Sequence, residues 1–251
     1  MTITIAFFFF LYGLIFGSFF NVVGLRLPKQ KSIVKPPSQC PNCQRRLTFI
    51  DLIPVVSYIL LKGKCRNCET KIHWVYPFME LITGILFTVA YLQVGLSIEL
   101  IVALLFISML IIISVSDLAF MLIPNKILIF FGILLIVGRI VSPLNPWWDS
   151  IIGAIFGFGI LLLIAILSKG GMGGGDIKLF FVIGLVLGII PTLLTLFLAA
   201  GIGVFVGIVQ MKWKKKGRKT PVPFGPSISI ASIIVYFYGT NILEWYTNLL
   251  L

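Results

Sequence analysis

Long apolar runs, separated by short polar connections, dominate this chain and constrain what it can fold into. The runs lie at about residues 4–24, 76–94, 97–116, 124–142, 150–168, 177–189, 191–211 and 227–246. An α-helix needs about 20 apolar residues to cross the hydrocarbon core of a bilayer. Of the 251 residues, 59% are apolar and 11% are charged, which excludes an ordinary soluble domain. The sequence therefore predicts an all-α polytopic membrane protein with about eight transmembrane helices.

The lysines and arginines predict how these helices are oriented, because cytoplasmic loops carry an excess of them. Ten of the 20 lie in the segment 26–75 and six in the segment 212–226. With eight spans, both segments face the cytoplasm, together with the connections at 117–123 and 169–176. The net charge of +12 thus indicates cytoplasmic loops, and we expect no direct binding of nucleic acid. Arg139, near the outer end of the fourth span, is the exception.

Two of the eight acidic residues adjoin apolar runs at this same membrane face. Asp117 ends the third run, and Asp176 follows a glycine-rich stretch in the pattern Gly-x-Gly-Asp. Two carboxylates held close together share a proton, so one can accept a proton from water while the other donates to a peptide carbonyl. Gly173 and Gly175 would let a substrate backbone approach. Each aspartate alone has a simpler interpretation, as a helix cap or an interfacial residue.

Four cysteines in the first large polar segment form two Cys-x-x-Cys pairs, Cys40 with Cys43 and Cys65 with Cys68. Four thiolates can complete a tetrahedral zinc site, and disulfides are not expected in a cytoplasmic loop. Free thiols are the alternative. His73 is a possible substitute ligand, although an interfacial histidine explains it equally well. We predict a zinc site, in a small loop domain without an internal repeat.

Three further segments have interpretations that the sequence leaves open. Glu80, near the start of the second span, either has a function or pairs with a nearby lysine. The apolar segment 51–61 is too short to span a membrane, and Asp51 is a candidate to cap it. The segment 223–226 (Pro-Phe-Gly-Pro) reads as a turn before the last span.

In this order, the segments resemble the bacterial type IV prepilin peptidases, also called prepilin leader peptidase/N-methyltransferases. The resemblance covers nearly the whole chain. Its motifs lie at 17–28, 40–43, 51–58, 63–68, 76–80, 117–125, 173–178 and 223–226.

The resemblance implies a multi-pass enzyme of the bacterial cytoplasmic membrane with its active site at the cytoplasmic face. Asp117 and Asp176 would be its catalytic acids and would need no cofactor. The substrates would be prepilins or pseudopilins, cut after a glycine that ends a short basic leader. Such enzymes also methylate the new N-terminus with S-adenosylmethionine, a step associated here with Gly63, Lys64, Glu80 and the four cysteines. Type IV pili, type II secretion and competence for DNA uptake are the systems served.

We accordingly expect three regions, namely a first transmembrane helix (1–25), a cytoplasmic cysteine loop linked to methyl transfer (26–75) and a membrane-embedded aspartic peptidase core (76–251). The basic loop is expected to lie on anionic lipid.

Other functions remain open at this point. Carboxylates within the membrane and glycine-rich broken spans are also features of proton-coupled transporters. Presenilin-like and signal-peptide peptidases use Gly-x-Gly-Asp too, but they have a tyrosine where Ser116 precedes Asp117. A noncatalytic assembly protein that binds partners through its cysteine loop is the last alternative.

Overall fold

A computed structural model describes residues 2–168, 171–214 and 223–250 of the chain, with the side chains of 213, 214 and 250 left out. Every predicted span corresponds to a helix. Within the described residues the helices are α1 (Thr2–Arg26), α2 (Val56–Leu60), α3 (Val75–Val94), α4 (Ile98–Phe120), α5 (Asn125–Val141), α6 (Asp149–Leu167), α7 (Gly174–Leu187), α8 (Ile189–Lys214) and α9 (Gly225–Leu250).

Six of these helices, among the residues that the structure describes, are long and apolar enough to cross a membrane: α1, α3, α4, α6, α8 and α9. The other two helices from predicted spans are shorter, since α5 has 17 residues and α7 has 14. The described part of the chain contains no strand, only two isolated β-bridges in the cysteine loop. The predicted all-helical membrane fold, with the cysteine loop between the first two long helices, is therefore confirmed.

The chain divides into two compact units, residues 1–100 and 101–251. In the first unit, α1 packs along α3. A Cβ atom at Gly13 would lie only 2.6 Å from the Cα of Gly84, and one at Gly17 only 2.8 Å from the Cα of Glu80. Small residues thus let the two backbones approach closely, as is common between membrane helices.

The connection between α1 and α3 contains little regular structure. It has a 3-10 turn at Ile50–Leu52 and the five-residue helix α2. The side chains of Ile59 and Leu60 are exposed. The apolar segment that is too short to span a membrane therefore forms two short helical turns, and Asp51 lies within the first of them instead of capping it.

In the second unit, α4 is the most buried of the six long helices, with 72% of its apolar window inside the protein. It contacts α9 through Phe106 and Tyr236, whose ring centroids are 5.7 Å apart. The Ser229 hydroxyl of α9 donates to the Leu110 carbonyl at 3.2 Å. Helix α7 packs against α5, α6, α8 and α9. The end of α4 and the start of α7 are thus held by a packed helical core.

Arg139 differs from the other basic residues because it is buried near the end of α5. Its guanidinium donates to the carbonyl of Val186 at 2.8 and 3.1 Å. That carbonyl belongs to the last turn of α7, where unpaired carbonyls and the helix dipole favour a positive charge. Arg139 therefore has a structural partner that explains its place outside the basic loops.

Candidate functional site

Asp117 lies in the last turns of α4 and is 6% exposed. Its Oδ2 accepts the backbone N–H of Gly225, the first residue of α9, at 2.7 Å. A Cβ atom at Gly225 would stand 2.8 Å from that same oxygen, so only glycine fits here. The Asp117 carboxylate is therefore oriented by the start of a helix that lies 108 residues further along the chain.

Asp176 is the third residue of α7, and Gly173 occupies the N-cap position that the sequence alone suggests for Asp176. The Asp176 carboxylate turns back toward the cap and accepts the backbone N–H of Gly173. This is the geometry of a capping box, in which an acid in the third helical position binds the N-cap backbone. The prediction that Asp176 is the N-cap residue is therefore wrong, although its carboxylate does help to cap the N-terminus of α7.

The structure brings the two aspartates together. Asp117 lies against the first residue of α9, and the connection that follows α4 reaches the first turn of α7, which carries Asp176. Ile123, in the connection after α4, lies against the first turn of α7, where a Cβ atom at Gly175 would be 2.8 Å from the Cβ of Ile123. Three helix ends therefore converge, namely the end of α4 and the starts of α7 and α9. Two carboxylates in such a place can exchange protons with a water molecule and a peptide carbonyl.

The two glycines predicted to admit a substrate have different surroundings. Gly173 is exposed, and the nearest group to a Cβ atom there would be the Asp176 carboxylate, at 3.1 Å. Gly175 is half-buried under Ile123. Close approach to a substrate backbone therefore stays a prediction for Gly173, whereas the absence of a side chain at Gly175 is already required by the packing.

The four cysteines form a second cluster, in the first unit. Their Sγ atoms all lie within 4.8 Å of one another. The Sγ atoms of Cys40 and Cys68 are 3.7 Å apart, and those of Cys43 and Cys65 are 4.0 Å apart. With Zn–S bonds of about 2.3 Å, a tetrahedral zinc site needs sulfur atoms separated by about 3.8 Å. The four thiols therefore fit a zinc ion.

The two Cys-x-x-Cys turns are structurally equivalent. The N–H of Cys40 donates to the Arg45 carbonyl at 3.0 Å, and the N–H of Cys65 donates to the Thr70 carbonyl at 2.9 Å. In each turn the residue after the second cysteine has a positive φ, Gln44 in the first and Glu69 in the second. Each turn is also closed by an isolated β-bridge, Gln39–Arg46 in the first and Lys64–Lys71 in the second. The two Cys-x-x-Cys pairs identified in the sequence therefore form two copies of one structural unit, an internal repeat that the sequence analysis did not expect.

Thiolate formation is favoured on the second knuckle. Hydrogen bonds from the hydroxyl and the backbone N–H of Thr70 lower the pKa of Cys68 to about 5. Backbone N–H groups of Cys68 and Asn67 lower the pKa of Cys65. Because the thiolate is the form that binds a metal, these donors favour metal binding by Cys65 and Cys68.

Asp51 joins the two knuckles. Its side chain is 4% exposed and forms ion pairs with Arg45 at 3.4 Å and with Arg66 at 2.9 Å. Burial alone would raise the pKa of Asp51, but hydrogen bonds from Thr48 and the pairing with Arg66 outweigh that effect and lower it. Because Arg45 follows the first Cys-x-x-Cys pair and Arg66 lies within the second, one carboxylate holds both turns.

The remaining predicted residues lie around the cysteine loop. Gly63 has a φ of +69°, and a Cβ atom there would be 2.9 Å from the Tyr58 hydroxyl, so glycine is required for both reasons. Lys64 is half-exposed and pairs with Glu69 at 3.8 Å. His73 accepts the N–H of Val75 at 3.3 Å and is not part of the metal cluster. Glu80 is buried on α3, and its Oε2 accepts the N–H of Val55 at 2.7 Å.

Sequence inspection missed two features of potential functional weight. Gly225 was read only as part of a turn, yet it is the hydrogen-bond donor to Asp117. Asn21, at the end of α1, is buried, and its Oδ1 atom has no hydrogen-bond partner. A polar residue in an otherwise apolar span was the available signal for Asn21, because such residues are costly in a membrane.

Comparison with known proteins gives matches over both units. The profile of the bacterial peptidase A24 N-terminal domain matches residues 11–94, and the type IV leader peptidase family matches residues 104–208. A prepilin leader peptidase/N-methyltransferase of Bacillus subtilis (strain 168) is 45% identical over 242 residues, covering 96% of this chain and 98% of that protein.

Two more distant relatives carry the same name. The protein of Aeromonas hydrophila is 32% identical over 275 residues, covering 96% of this chain and 93% of its own length. That of Neisseria gonorrhoeae is 31% identical over 256 residues, covering 89% and 87%. No solved structure matches the chain significantly.

Proposed function

The chain belongs to the bacterial type IV leader peptidase family, and we propose on that basis that it removes the short basic leader of prepilins or pseudopilins and methylates the new N-terminal amine. Membership of the family confirms the resemblance seen in the sequence. With the names of the relatives, it also confirms the prediction of a prepilin peptidase enzyme with N-methyltransferase activity. The transporter interpretation has no support among these relatives.

The peptidase mechanism is supported by the convergence of the end of α4, which carries Asp117, with the starts of α7 and α9, since Asp176 lies in the first turn of α7. One carboxylate takes a proton from water, whose oxygen attacks the carbonyl carbon of the glycine that ends the leader. The other donates a proton to the carbonyl oxygen. As the tetrahedral intermediate collapses, the carboxyl group that took the water proton gives it to the departing amine of the mature pilin, and the other carboxylate takes back the hydroxyl proton, so that the pair returns to its starting protonation. The Gly225 N–H holds Asp117 in place during both proton transfers.

Methyl transfer is assigned to the first unit. S-adenosylmethionine, when bound, supplies the methyl group. Gly63 keeps the Tyr58 ring in position, and Glu80 fixes the turn at Val55. The four cysteines would hold zinc as a structural ion, because a site closed by four thiolates leaves no position for a substrate. This role agrees with the burial of Cys40 and Cys65.

The cellular setting follows from charge and chemistry. The basic loops favour a site at the cytoplasmic face of the bacterial inner membrane, where a basic leader would wait before its apolar helix is exported. Pilus assembly, type II secretion and DNA uptake are the systems that need such processing.

The basic loop binds anionic lipid instead of recruiting the basic leader directly. Lys29, Lys31 and Lys35 are exposed, and each can contribute about 1 kcal/mol at an anionic surface. In nanodiscs, trypsin should cut the full-length protein after Lys29 and Lys31 more slowly when the lipid is anionic than when it is neutral. Equal rates would refute the lipid contact.

The decisive test compares the wild type with Asp117→Asn and Asp176→Asn on a co-expressed prepilin. Each substitution keeps the shape of the side chain but removes a proton donor and acceptor, so cleavage should fall at least about 100-fold. The mass of the pilin product reports leader loss and added methyl groups together.

Asp149→Asn is the matched control, since Asp149 is also an acid in the first turn of a helix. It should leave cleavage intact. Normal cleavage by either dyad variant would refute the two-aspartate mechanism, and an uncut prepilin with the wild type would refute the proposed function as a whole.

A further inference from the structure

The second unit contains a cavity of about 470 Å³ that lies along α5 and α7. A polar contact joins the two helices at each end. At their starts, the Lys178 ammonium of α7 donates to Oδ1 of Asn125, the first residue of α5, at 3.0 Å. Near their ends, the guanidinium of Arg139 donates to the Val186 carbonyl at 2.8 Å. The cavity is therefore a gap between two helices whose ends are held together.

The cavity is apolar along most of its length. Apart from Asn125 and Lys178, its lining consists of leucine, isoleucine, valine, phenylalanine and glycine residues. Gly132 leaves room in the middle, since the nearest group to a Cβ atom there would be Val182, at an ordinary contact distance of 3.8 Å. The lining residue Ile133 is exposed. Because α5 lies in a predicted span, its exposed surface faces lipid, and a lipid chain can enter the cavity from the side.

The length of the cavity matches one leaflet of a bilayer. On α5 the lining extends from Asn125 to Ile136, which at 1.5 Å per residue is about 16 Å. The hydrocarbon core is about 30 Å thick, so one leaflet contributes about 15 Å. On the predicted topology, the starts of α5 and α7 lie at the cytoplasmic face. An acyl chain of a lipid in that leaflet would therefore span the cavity and place its headgroup beside Asn125 and Lys178.

The end of the cavity at Asn125 is positively charged. Lys178 is the one charged residue in the lining, and within the described part of the chain it forms no ion pair. Because an ammonium only donates, its contact fixes Oδ1 as the amide oxygen of Asn125 and leaves Nδ2 as a second donor. A phosphate group can accept from both side chains. Basic pockets between membrane helices on the cytoplasmic side commonly bind anionic headgroups.

The cavity faces away from the proposed catalytic acids. Asp176 and Lys178 are two residues apart on α7, so their side chains leave the helix in directions that differ by about 200°. A substrate helix in the cavity would thus lie on the side of α7 opposite to the carboxylate that must reach its peptide bond. This placement favours a lipid as the occupant.

We propose that this cavity binds one anionic phospholipid of the cytoplasmic leaflet, with an acyl chain along α5 and α7 and its phosphate on Lys178 and Asn125. The site is separate from the acid pair and from the cysteine loop, and it depends on neither proposed activity. The bound chain fills the space beside Gly132 that the packing of the two helices leaves open.

Photocrosslinking of the full-length protein in nanodiscs tests the site. The nanodiscs consist of phosphatidylcholine with a trace of phosphatidylglycerol that carries a diazirine on its acyl chain, and labelled chymotryptic peptides are mapped by mass spectrometry. Labelling of α5 and α7 should exceed that by the corresponding phosphatidylcholine probe about 5-fold, the ratio that about 1 kcal/mol from one lysine gives. Lys178→Gln should remove this excess. Lys126→Gln is the matched control, since Lys126 is exposed on α5 but does not line the cavity.

A second pair of variants tests the space itself. Gly132→Leu fills the cavity and should also reduce the excess labelling to background. Gly159→Leu is its control, because a Cβ atom at Gly159 would meet nothing within 4 Å and the residue does not line the cavity. Should Gly132→Leu not accumulate, Ile133→Phe fills the same space from an exposed position.

Equal labelling by the two probes in the wild type, or an excess that survives Lys178→Gln or the filling of the cavity, would show bulk lipid only and would overturn the proposal. An equal loss in Lys126→Gln would do the same, since it would indicate general attraction to surface charge. A co-reconstituted prepilin that displaces the probe from the Asp176→Asn protein would assign the cavity to the substrate instead.

Discussion

At the scale of single residues, the proposed peptidase site depends on a glycine that has no side-chain chemistry of its own. Gly225 places its N–H 2.7 Å from the Asp117 carboxylate. Any side chain there would approach the carboxyl group more closely than van der Waals contact allows, since a Cβ atom at Gly225 would lie 3.0 Å from both the carboxyl carbon and the Cβ of Asp117. The position of the Asp117 carboxylate therefore depends on the absence of a side chain at Gly225.

We expect Gly225→Ala to displace the Asp117 side chain and lower prepilin cleavage by about 100-fold, because a misplacement of about 1 Å has that effect on a catalytic group. Cleavage is measured by the mass of the pilin product. Gly201→Ala is the matched control, since a Cβ atom there would meet nothing within 4 Å, and it should cleave normally. Full activity in Gly225→Ala would show that Asp117 does not need its present position.

Val55, just before α2, has φ +62° and ψ −49°, a strained backbone conformation for a β-branched residue, and this permits a second prediction at this scale. Glycine adopts a positive φ without penalty, so Val55→Gly should raise the free energy of unfolding of the protein by about 1 kcal/mol. Val56→Gly, one residue later at the first position of α2, should instead lower it by about 1 kcal/mol. Thermal unfolding in detergent compares the two. A loss of stability in both variants would mean that Val55 is not strained.

At the scale of elements, the cysteine loop is organised by Asp51. The carboxylate binds an arginine from each knuckle, so its removal should loosen both turns together. We expect Asp51→Asn to lower loop stability by about 1–3 kcal/mol and, in protein loaded with zinc, to speed the release of the metal to a colorimetric chelator. Glu69→Gln, which breaks only an exposed pair, is the control. Equal rates of zinc release from Asp51→Asn and Glu69→Gln would refute the role of Asp51 in holding the two knuckles together.

The pH dependence of this contribution follows from the direction of the shift. The pKa of Asp51 in the folded protein is below its ordinary value. Its stabilising contribution is therefore complete above about pH 4 and is lost as the pH falls through the lower folded pKa.

Hydropathy predicts the helices of this protein well, because a membrane helix satisfies its own backbone hydrogen bonds whatever its neighbours are. The span predicted at 124–142 is observed as α5, Asn125–Val141. Contacts between distant residues are harder to predict. The bond from Gly225 to Asp117 crosses 108 positions, and nothing local to either residue marks it. The two Cys-x-x-Cys pairs were identified from the sequence, but their equivalent backbone geometry was not, because Arg45 and Thr70 occupy equivalent positions without sharing side-chain chemistry.

At the scale of the whole molecule, the cysteines can be used to measure how the protein is oriented in the membrane. The chain has only four, all in the connection between α1 and α3. After treatment with a metal chelator, a membrane-impermeant maleimide should label the cysteines in inverted membrane vesicles but not in intact cells. Labelling before chelation should be slower, because a metal-bound thiolate is protected. Labelling from outside the cell would reverse the predicted topology.

The shortness of α7 has a consequence for the lipid around the enzyme. A helix of 14 residues rises about 21 Å, which is about 9 Å less than the hydrocarbon thickness of a typical bilayer. If the C-terminal end of α7 lies at the outer boundary of the hydrocarbon core, its first turn, which carries Asp176, would lie below the cytoplasmic headgroups and out of reach of bulk water. Hydrophobic mismatch of this kind is relieved by thinning of the bilayer, by snorkelling of flanking residues or by oligomerisation. Where the bilayer thins, the resulting depression brings water closer to a peptide bond at the edge of a membrane helix.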